Sequence, residues 1–273
     1  MVRFNDAPEK SFQRLKDLGL GHCQFAAPPD EYLYGMEGRC NTRDLMNAME
    51  RYDICATSVF ISFPGQNWAD GHNTIGLVPP ATRAPRIARA CRSADWAREM
   101  GIEQIASHVG FVPEDADHAN YPGFIEAMRS FCQFLEANEQ VLAYETGQES
   151  VAALGRLISD IGVECQGINF DPANLLIYDQ EDPMELVKSM GDKVVHVHCK
   201  DACRPTPGEK QGRETPLGAG QTNFRALFMA LYEQGYRGPL TIEREIPPGA
   251  ELDADTKMAV ALLESLKKEA WEQ

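Results

Sequence analysis

The sequence has no apolar run approaching the roughly 20 residues of a membrane span, which excludes a transmembrane helix. Basic charge is also short: 26 Lys and Arg stand against 41 Asp and Glu, a formal charge of −15. Following a phosphate backbone needs cations in excess, so this balance argues against a nucleic-acid surface. The 8 cysteines form no CxxC pair, and Cys55, Cys132, Cys165 and Cys199 sit in apolar runs where a reduced thiol behaves as a small hydrophobe. A chain of 273 residues needs no disulfide staples, so a reducing compartment is expected. The opening Met-Val-Arg-Phe-Asn-Asp lacks the apolar core of a signal peptide. The expectation is a cytoplasmic protein with neither membrane nor nucleic acid as partner. Several catalytic signatures are missing too. No GxSxG, Walker or HExxH arrangement occurs, and Gly218-Ala-Gly220 follows no strand–helix phosphate pattern.

What is present is a core-forming composition, 43% hydrophobic, in alternating strand and helix patterns. Short apolar strands are expected at 2–4, 22–26, 54–63, 103–109, 141–145, 167–171, 194–201 and 240–245. Helical periodicity fills the gaps: from Pro8 to the stop at Gly19, from a Thr42 cap to Tyr52, then 82–100, 121–138, 148–161, 183–190, 223–234 and 253–269. The stretch 64–80, rich in Gly, Pro and Asn and carrying Trp68, reads as a long loop over one end. Residues 202–220 read as a second loop. Alternation favours a parallel sheet with helical crossovers, and a count of eight favours closure. The expected fold class is therefore α/β, a (β/α)8 TIM barrel, as a single domain over 1–273. A doubly wound open sheet is the structural alternative.

The stretch Val194-Val-His-Val-His-Cys-Lys-Asp201 organises the functional reading. Strand side chains alternate, so His196, His198 and Lys200 share one face and Val195, Val197 and Cys199 the other. Two imidazoles and an amine make a poor buried surface unless something polar or metallic waits there. Three more strands end in acids: Val141-Leu-Ala-Tyr-Glu145, Gly167-Ile-Asn-Phe-Asp171 and Pro239-Leu-Thr-Ile-Glu243. Barrels place their chemistry at C-terminal strand ends. Glu145, Asp171, His198 and Glu243 are thus candidate ligands of one divalent metal ion, Mn, Mg, Co or Zn. The competing reading has each acid capping the next helix, but capping does not require one shared face. His108 at the end of the fourth strand suits a substrate hydrogen bond or a satisfied core position. His196 lies one layer below His198. Lys200 has the parity to reach the cavity, though a surface ion pair also explains it. Asn174, just past Asp171, and Arg204, in the following loop, are candidate substrate contacts.

On Glu145-Thr-Gly-Gln-Glu149, Asn169-Phe-Asp-Pro-Ala-Asn174, His196-Val-His-Cys-Lys-Asp201, Pro216-Leu-Gly-Ala-Gly220 and Thr241-Ile-Glu243, the chain resembles the sugar phosphate isomerase/epimerase family, the xylose isomerase-like TIM barrels. The similarity runs from about strand four to the C-terminus. It implies a metal-dependent enzyme acting on a small carbohydrate. Ketose 3-epimerases, inosose dehydratases, hydroxypyruvate isomerases and abasic-site endonucleases share the scaffold. In the epimerases two metal-bound glutamates exchange a proton with the substrate from opposite faces. The resemblance assigns those roles to Glu145 and Glu243, the rest of the metal shell to Asp171 and His198, and a substrate contact to Arg204. Where those epimerases carry a histidine after the metal aspartate, this chain has Asn174, a departure that leaves the metal set intact and bears on substrate and reaction. The expected function is an isomerase or epimerase working by proton abstraction next to a carbonyl. An inosose-type dehydratase is the nearest rival; a non-catalytic metabolite-binding barrel and an endonuclease follow. Family members often pair through barrel helices, so a homo-oligomer is compatible with the resemblance.

Overall fold

The structure, a computed structural model, describes residues 1–271. It resolves into two compact units, each with its own parallel strands and its own core.

The first unit comprises Met1–Tyr144 and Leu157–Gln166. Its strands β1 (His22–Ala26), β2 (Cys55–Ile61), β3 (Gln104–Ser107) and most of β4 (Val141–Glu145) pair in parallel in that order. The helices are α1 (Pro8–Asp17), α2 (Asp30–Leu33), α3 (Gly35–Tyr52), α4 (Gly71–Thr74), α5 (Pro80–Glu99) and α6 (Tyr121–Ala137). α1, α5 and α6 carry proline in the first turn, where the missing N–H would have had no partner. α6 buries Tyr121, Phe124, Ile125, Met128, Phe131, Cys132 and Leu135, a three-and-four spacing that lays one apolar stripe against the strands.

Two expectations need correction here. The first strand, expected at 2–4, is a single parallel bridge between Val2 and Phe25. Phe4 instead joins an aromatic cluster, its ring 5.7 Å from Phe25, 4.7 Å from Tyr32 and 5.9 Å from Trp96. Thr42 does not start a helix. It lies inside α3, buried, and its hydroxyl accepts a 2.9 Å hydrogen bond from the Trp96 indole. Glycines at 35 and 38 obscure the first two turns in the sequence pattern, and Gly38 is needed because its face lies against the Tyr32 carbonyl.

The second unit comprises Glu145–Arg156 and the chain from Gly167 onward. α7 (Val151–Ile161) begins in it. β5 (Gln166–Phe170), β6 (Val194–Cys199) and, further on, β9 (Leu240–Ile242) run parallel in that order. α8 (Pro172–Ile177), α9 (Pro183–Met190), α10 (Phe224–Glu233) and α11 (Ala250–Trp271) surround them in sequence. Asp171, Asp182 and Asn223 each cap a helix start by accepting a backbone N–H.

The expected loop 202–220 contains a small antiparallel hairpin, β7 (Asp201–Cys203) with β8 (Arg213–Thr215). Buried Asp201 holds it down. Its carboxylate accepts from the backbone N–H groups of Ala202, Gly218, Gly220 and Thr222 at 2.9 to 3.0 Å. β8 is tied in turn by Glu214, which pairs with Arg244 at 3.0 Å, while Arg244 also holds Asp255 of α11 at 2.8 Å.

Candidate metal centre

Four strand ends deliver the site. Glu145 is the last residue of β4, Asp171 follows β5, His198 is the penultimate residue of β6, and Glu243 follows β9. One donor atom from each lies within 4.8 Å of all the others. On β6 both faces are covered: His196, His198 and Lys200 are buried on one and Val197 and Cys199 on the other, with only Val195 half-buried.

Asp171 divides its oxygens. Oδ1 accepts from Asn174 N at 3.1 Å as the cap of α8, while Oδ2 is buried without a hydrogen-bond partner. Capping and ligation are therefore compatible in one carboxylate. Oε2 of Glu243 is likewise buried and outside hydrogen-bonding geometry, although His198 Nδ1 lies 3.1 Å away. His198 Nδ1 is also 2.9 Å from Glu145 Oε1. Its other ring nitrogen, Nε2, lies 3.1 Å from the Asn169 amide, so the imidazole is held with Nδ1 toward the two glutamates.

The electrostatics fit a divalent cation. Three carboxylates face one buried ammonium, Lys200, whose Nζ is 3.6 Å from Asp171 Oδ2, 3.6 Å from Glu243 Oε2 and 2.9 Å from the exposed Glu245. With His198 neutral, that leaves two negative charges to be balanced. Protons take up the deficit otherwise. Burial chiefly, then Glu243 and Glu145, push the Asp171 carboxyl up to about 8 against the pull of Lys200. Burial alone would lower His198, yet the charge of Glu243 and its contacts with both glutamates raise it to about 10. Burial opposes ionisation of Glu243 too, but His198 and Lys200 hold it well below the usual carboxylate range. A buried oxygen cluster that draws protons this strongly is what a hard or borderline cation would replace. Such an ion would be held by Glu145, Asp171, His198 and Glu243.

The other candidates take distinct places. His196 touches Thr241, Nε2 to Oγ1 at 2.6 Å, with its ring 5.7 Å from that of His198. Burial first, then the neighbouring His198, lower it to about 3, so it is neutral and supports the strand behind the ligands. Asn174 donates to Thr146 O at 2.9 Å and accepts from Lys200 at 3.2 Å, so its carboxamide positions Lys200. Arg204 grips the turn after α8 through Asp179, the Gln180 carbonyl and the Glu181 carbonyl, at the edge of a cavity of about 430 Å³ shared with Gln221 and Asn223. His108 lies in the first unit, buried just beyond β3, with its ring 5.3 Å from that of Trp68. Sequence reasoning passed over Asn169 and Thr146. Thr146 exchanges hydrogen bonds with the Asp171 backbone in both directions at 2.8 Å. Asn169 shares parity with Asp171 on β5, a signal that was available.

The model of the xylose isomerase-like TIM barrel family matches residues 12–268, and the chain belongs to that family. The crystal structure of a xylose isomerase domain protein from Planctomyces limnophilus is similar over 96% of this chain and 93% of its own, with 32% identity and a TM-score of 0.87. The fold class is thus the (β/α)8 barrel read from the sequence. An inosose dehydratase of Lacticaseibacillus casei is 27% identical over 115 residues, 38% of each chain. A protein of Escherichia coli (strain K12) assigned as L-ribulose-5-phosphate 3-epimerase SgbU is 26% identical over 155 residues, 54% of this chain and 53% of its own. The chain therefore matches little more than a third of the dehydratase and about half of the epimerase. Among the described residues no helix is long and apolar enough to cross a membrane.

Proposed function

We propose that the chain, as one barrel domain, is a divalent-metal-dependent isomerase or epimerase that moves a proton next to the carbonyl of a small sugar, sugar phosphate or polyol ketone. One observation carries this reading: within the four-residue cluster the two glutamates differ from their partners in access. The side chains of Asp171 and His198 are fully buried, while those of Glu145 and Glu243 retain 9% and 14% exposure. The enclosed pair suits holding an ion, and the accessible pair suits reaching a substrate proton.

The ion, when bound, supplies a Lewis acid for the substrate carbonyl, which lowers the barrier to removing the adjacent proton. The protein's own groups do the rest. Glu243 lies 3.6 Å from the Lys200 ammonium, which favours its ionised form, so a carboxylate is at hand as the base. Glu145, from the opposite strand end of the cluster, returns a proton to the substrate carbon, and the face from which it does so sets the stereochemistry. Lys200 is held by Asn174 and Glu245 and keeps its charge, because the carboxylates of Asp171 and Glu243 outweigh burial and raise it well above its usual value.

The test is exchange of the substrate α-proton with solvent deuterium, followed by mass spectrometry on ketoses, ketose phosphates and inososes. Glu145→Gln and Glu243→Gln should each abolish exchange in a folded, metal-loaded protein. Full exchange in either variant removes that residue from the base role. A dehydratase is the second reading, favoured by the buried Lys200 ammonium 3.6 Å from Glu243, a proton donor for a departing hydroxyl. In ordinary water, a product about 18 Da lighter than the starting ketone, one water lost per turnover, would select it.

A further inference from the structure

Of the four cluster residues, Glu243 follows the shortest strand. β9 is three residues long, and among the described residues of its unit β6 is the one strand beside it. Asp171 and His198 ride on β5 and β6, strands of five and six residues that pair with each other. Glu243 N still donates to Cys199 O at 3.2 Å, and the chain then leaves the sheet. So short a strand does not by itself fix the side chain that follows it.

A carboxylate from the β7–β8 hairpin holds the strand end instead. Alternation along an extended chain turns Glu243 and Glu245 to one side and Arg244 to the other. Glu243 faces the cluster and Glu245 reaches Lys200 at 2.9 Å, while Arg244 meets Glu214 of β8 and Asp255 of α11. Oε1 of Glu214 lies 3.0 Å from the Arg244 guanidinium. The same carboxylate accepts the Glu245 backbone N–H, at 3.0 Å on Oε1 and 3.2 Å on Oε2. One side chain therefore grips both residues that follow Glu243. The side chains of Glu214, Arg244 and Asp255 are only 13%, 12% and 10% exposed, so water screens these contacts little. The hairpin is fastened at its other side to β6. It starts at Asp201, directly after Lys200, and Ala202 of β7 stands opposite Glu214 in the register. It thus spans the ends of the two strands that deliver His198 and Glu243, all within the second unit.

We infer that Glu214 is a positioning residue of the metal centre: by holding Arg244 and the Glu245 N–H it fixes the Glu243 carboxylate against His198, and with it the place of Glu245, the partner of Lys200. A ligand fixed before the ion arrives loses little freedom on binding, and outer partners of this kind change metal affinity by roughly 10- to 100-fold. Glu214 touches neither the ion site nor a substrate, so its whole effect passes through Glu243 and its two successors. Its effect on metal binding rests on the function proposed above; its effect on the place of Glu243 does not.

Two measurements on the full chain test this. In calorimetric titration with Mn²⁺, Glu214→Ala should weaken binding about tenfold or more, and Glu214→Gln, which keeps an acceptor for the Glu245 N–H, by less. A double-mutant cycle separates positioning from general support of the fold. In a Glu243→Ala background the route to the ion is already gone, so adding Glu214→Ala should change Mn²⁺ affinity by less than about twofold. An undiminished tenfold loss in that background overturns the inference. The second measurement needs no metal. Crystal structures of metal-free wild type and Glu214→Ala compare the approach of Glu243 Oε2 to His198 Nδ1, 3.1 Å here. It should lengthen by about 1 Å or more while the strands stay in place. A Glu243 that has not moved refutes the positioning role even where affinity falls. Wild type that takes up no Mn²⁺ removes the metal reading, and the pair of crystal structures then decides the placement of Glu243 alone. Arg244 keeps Asp255 in either variant, so its charge stays paired and the fold is retained. Where Glu214→Ala gives no folded protein, Glu214→Gln supplies both readouts.

Discussion

Asp171 shows how one residue can start a helix and still offer a ligand. Because Oδ1 caps α8 and Oδ2 points into the cluster, Asn at this position keeps an oxygen for the cap and loses the anionic donor. Asp171→Asn should therefore weaken metal binding by about 100-fold or more while leaving the metal-free melting temperature unchanged or raised. Calorimetric titration with Mn²⁺ and thermal melts with chelator check the two halves separately. An equal loss of stability with and without metal would assign the residue to the cap alone. A second residue-scale prediction concerns the thiols, none of which is in a disulfide. Burial, the dominant cause, pushes Cys23 up to about 12, so at pH 8 its thiolate fraction is about one in ten thousand. Iodoacetamide on the native protein should label exposed Cys55 and spare Cys23 until pH approaches its raised value or the protein unfolds. Peptide mass spectrometry reads the order directly. The cluster itself was legible residue by residue, since period-two alternation put His198 inside and the acids sat at apolar strand ends. The division of labour within it was not, because access depends on what covers each carboxylate.

The hairpin β7–β8 is the element that sequence patterning could not reveal. Its strands are three residues each, and Arg213-Glu-Thr215 carries no apolar alternation, so nothing distinguishes it from loop. Its chief anchor is one anion, Asp201, beside the small apolar cluster of Ala202 with Ala173 and Leu176 and the Glu214–Arg244 pair. Asp201→Ala removes an acceptor from four backbone N–H groups at once and should cost about 2–4 kcal/mol, by the usual strength of charge-assisted hydrogen bonds. Hydrogen exchange should show the amides of Gly218, Gly220 and Thr222 losing protection while β6 keeps its own. Uniform loss across the second unit would mean that the hairpin is not a separable element. By contrast α9 was legible to the residue, because proline in its first turn and an aspartate cap mark the start, and an apolar stripe marks the length. α3 was half legible, its opening turns masked by two glycines that packing against Tyr32 demands.

On the scale of the whole molecule the charge balance sets two expectations. The net −15 should keep the protein off DNA at physiological salt, and retention on a DNA column would reopen a nuclease reading. The concentrated negative charge at the strand ends should make stability depend on cation supply. Adding Mn²⁺ or Mg²⁺ at about 100 times its dissociation constant should stabilise chelator-treated protein by about 2.7 kcal/mol, read as a rise on the order of 5 °C in melting temperature. A chelator-independent melt would count against the centre. Parallel strands with helical crossovers were legible at this scale from alternation, and closure from the count of eight and the resemblance, whereas the reduction of the first strand to one bridge was not, because Phe4 is drawn into aromatic packing rather than pairing.

The contact of Gly76 with the Val109–Gly110 backbone has an evolutionary consequence. It divides the loop at 64–80 into a stem that tolerates no added atom and a tip, around Trp68, that projects from it. Substitutions and short insertions at such a tip leave the stem untouched, so the exposed surface around Trp68 can change in shape and chemistry while the stem keeps its place. Tips of different length can accordingly be grafted between Pro64 and Gly76, the two ends whose carbonyls Arg86 holds.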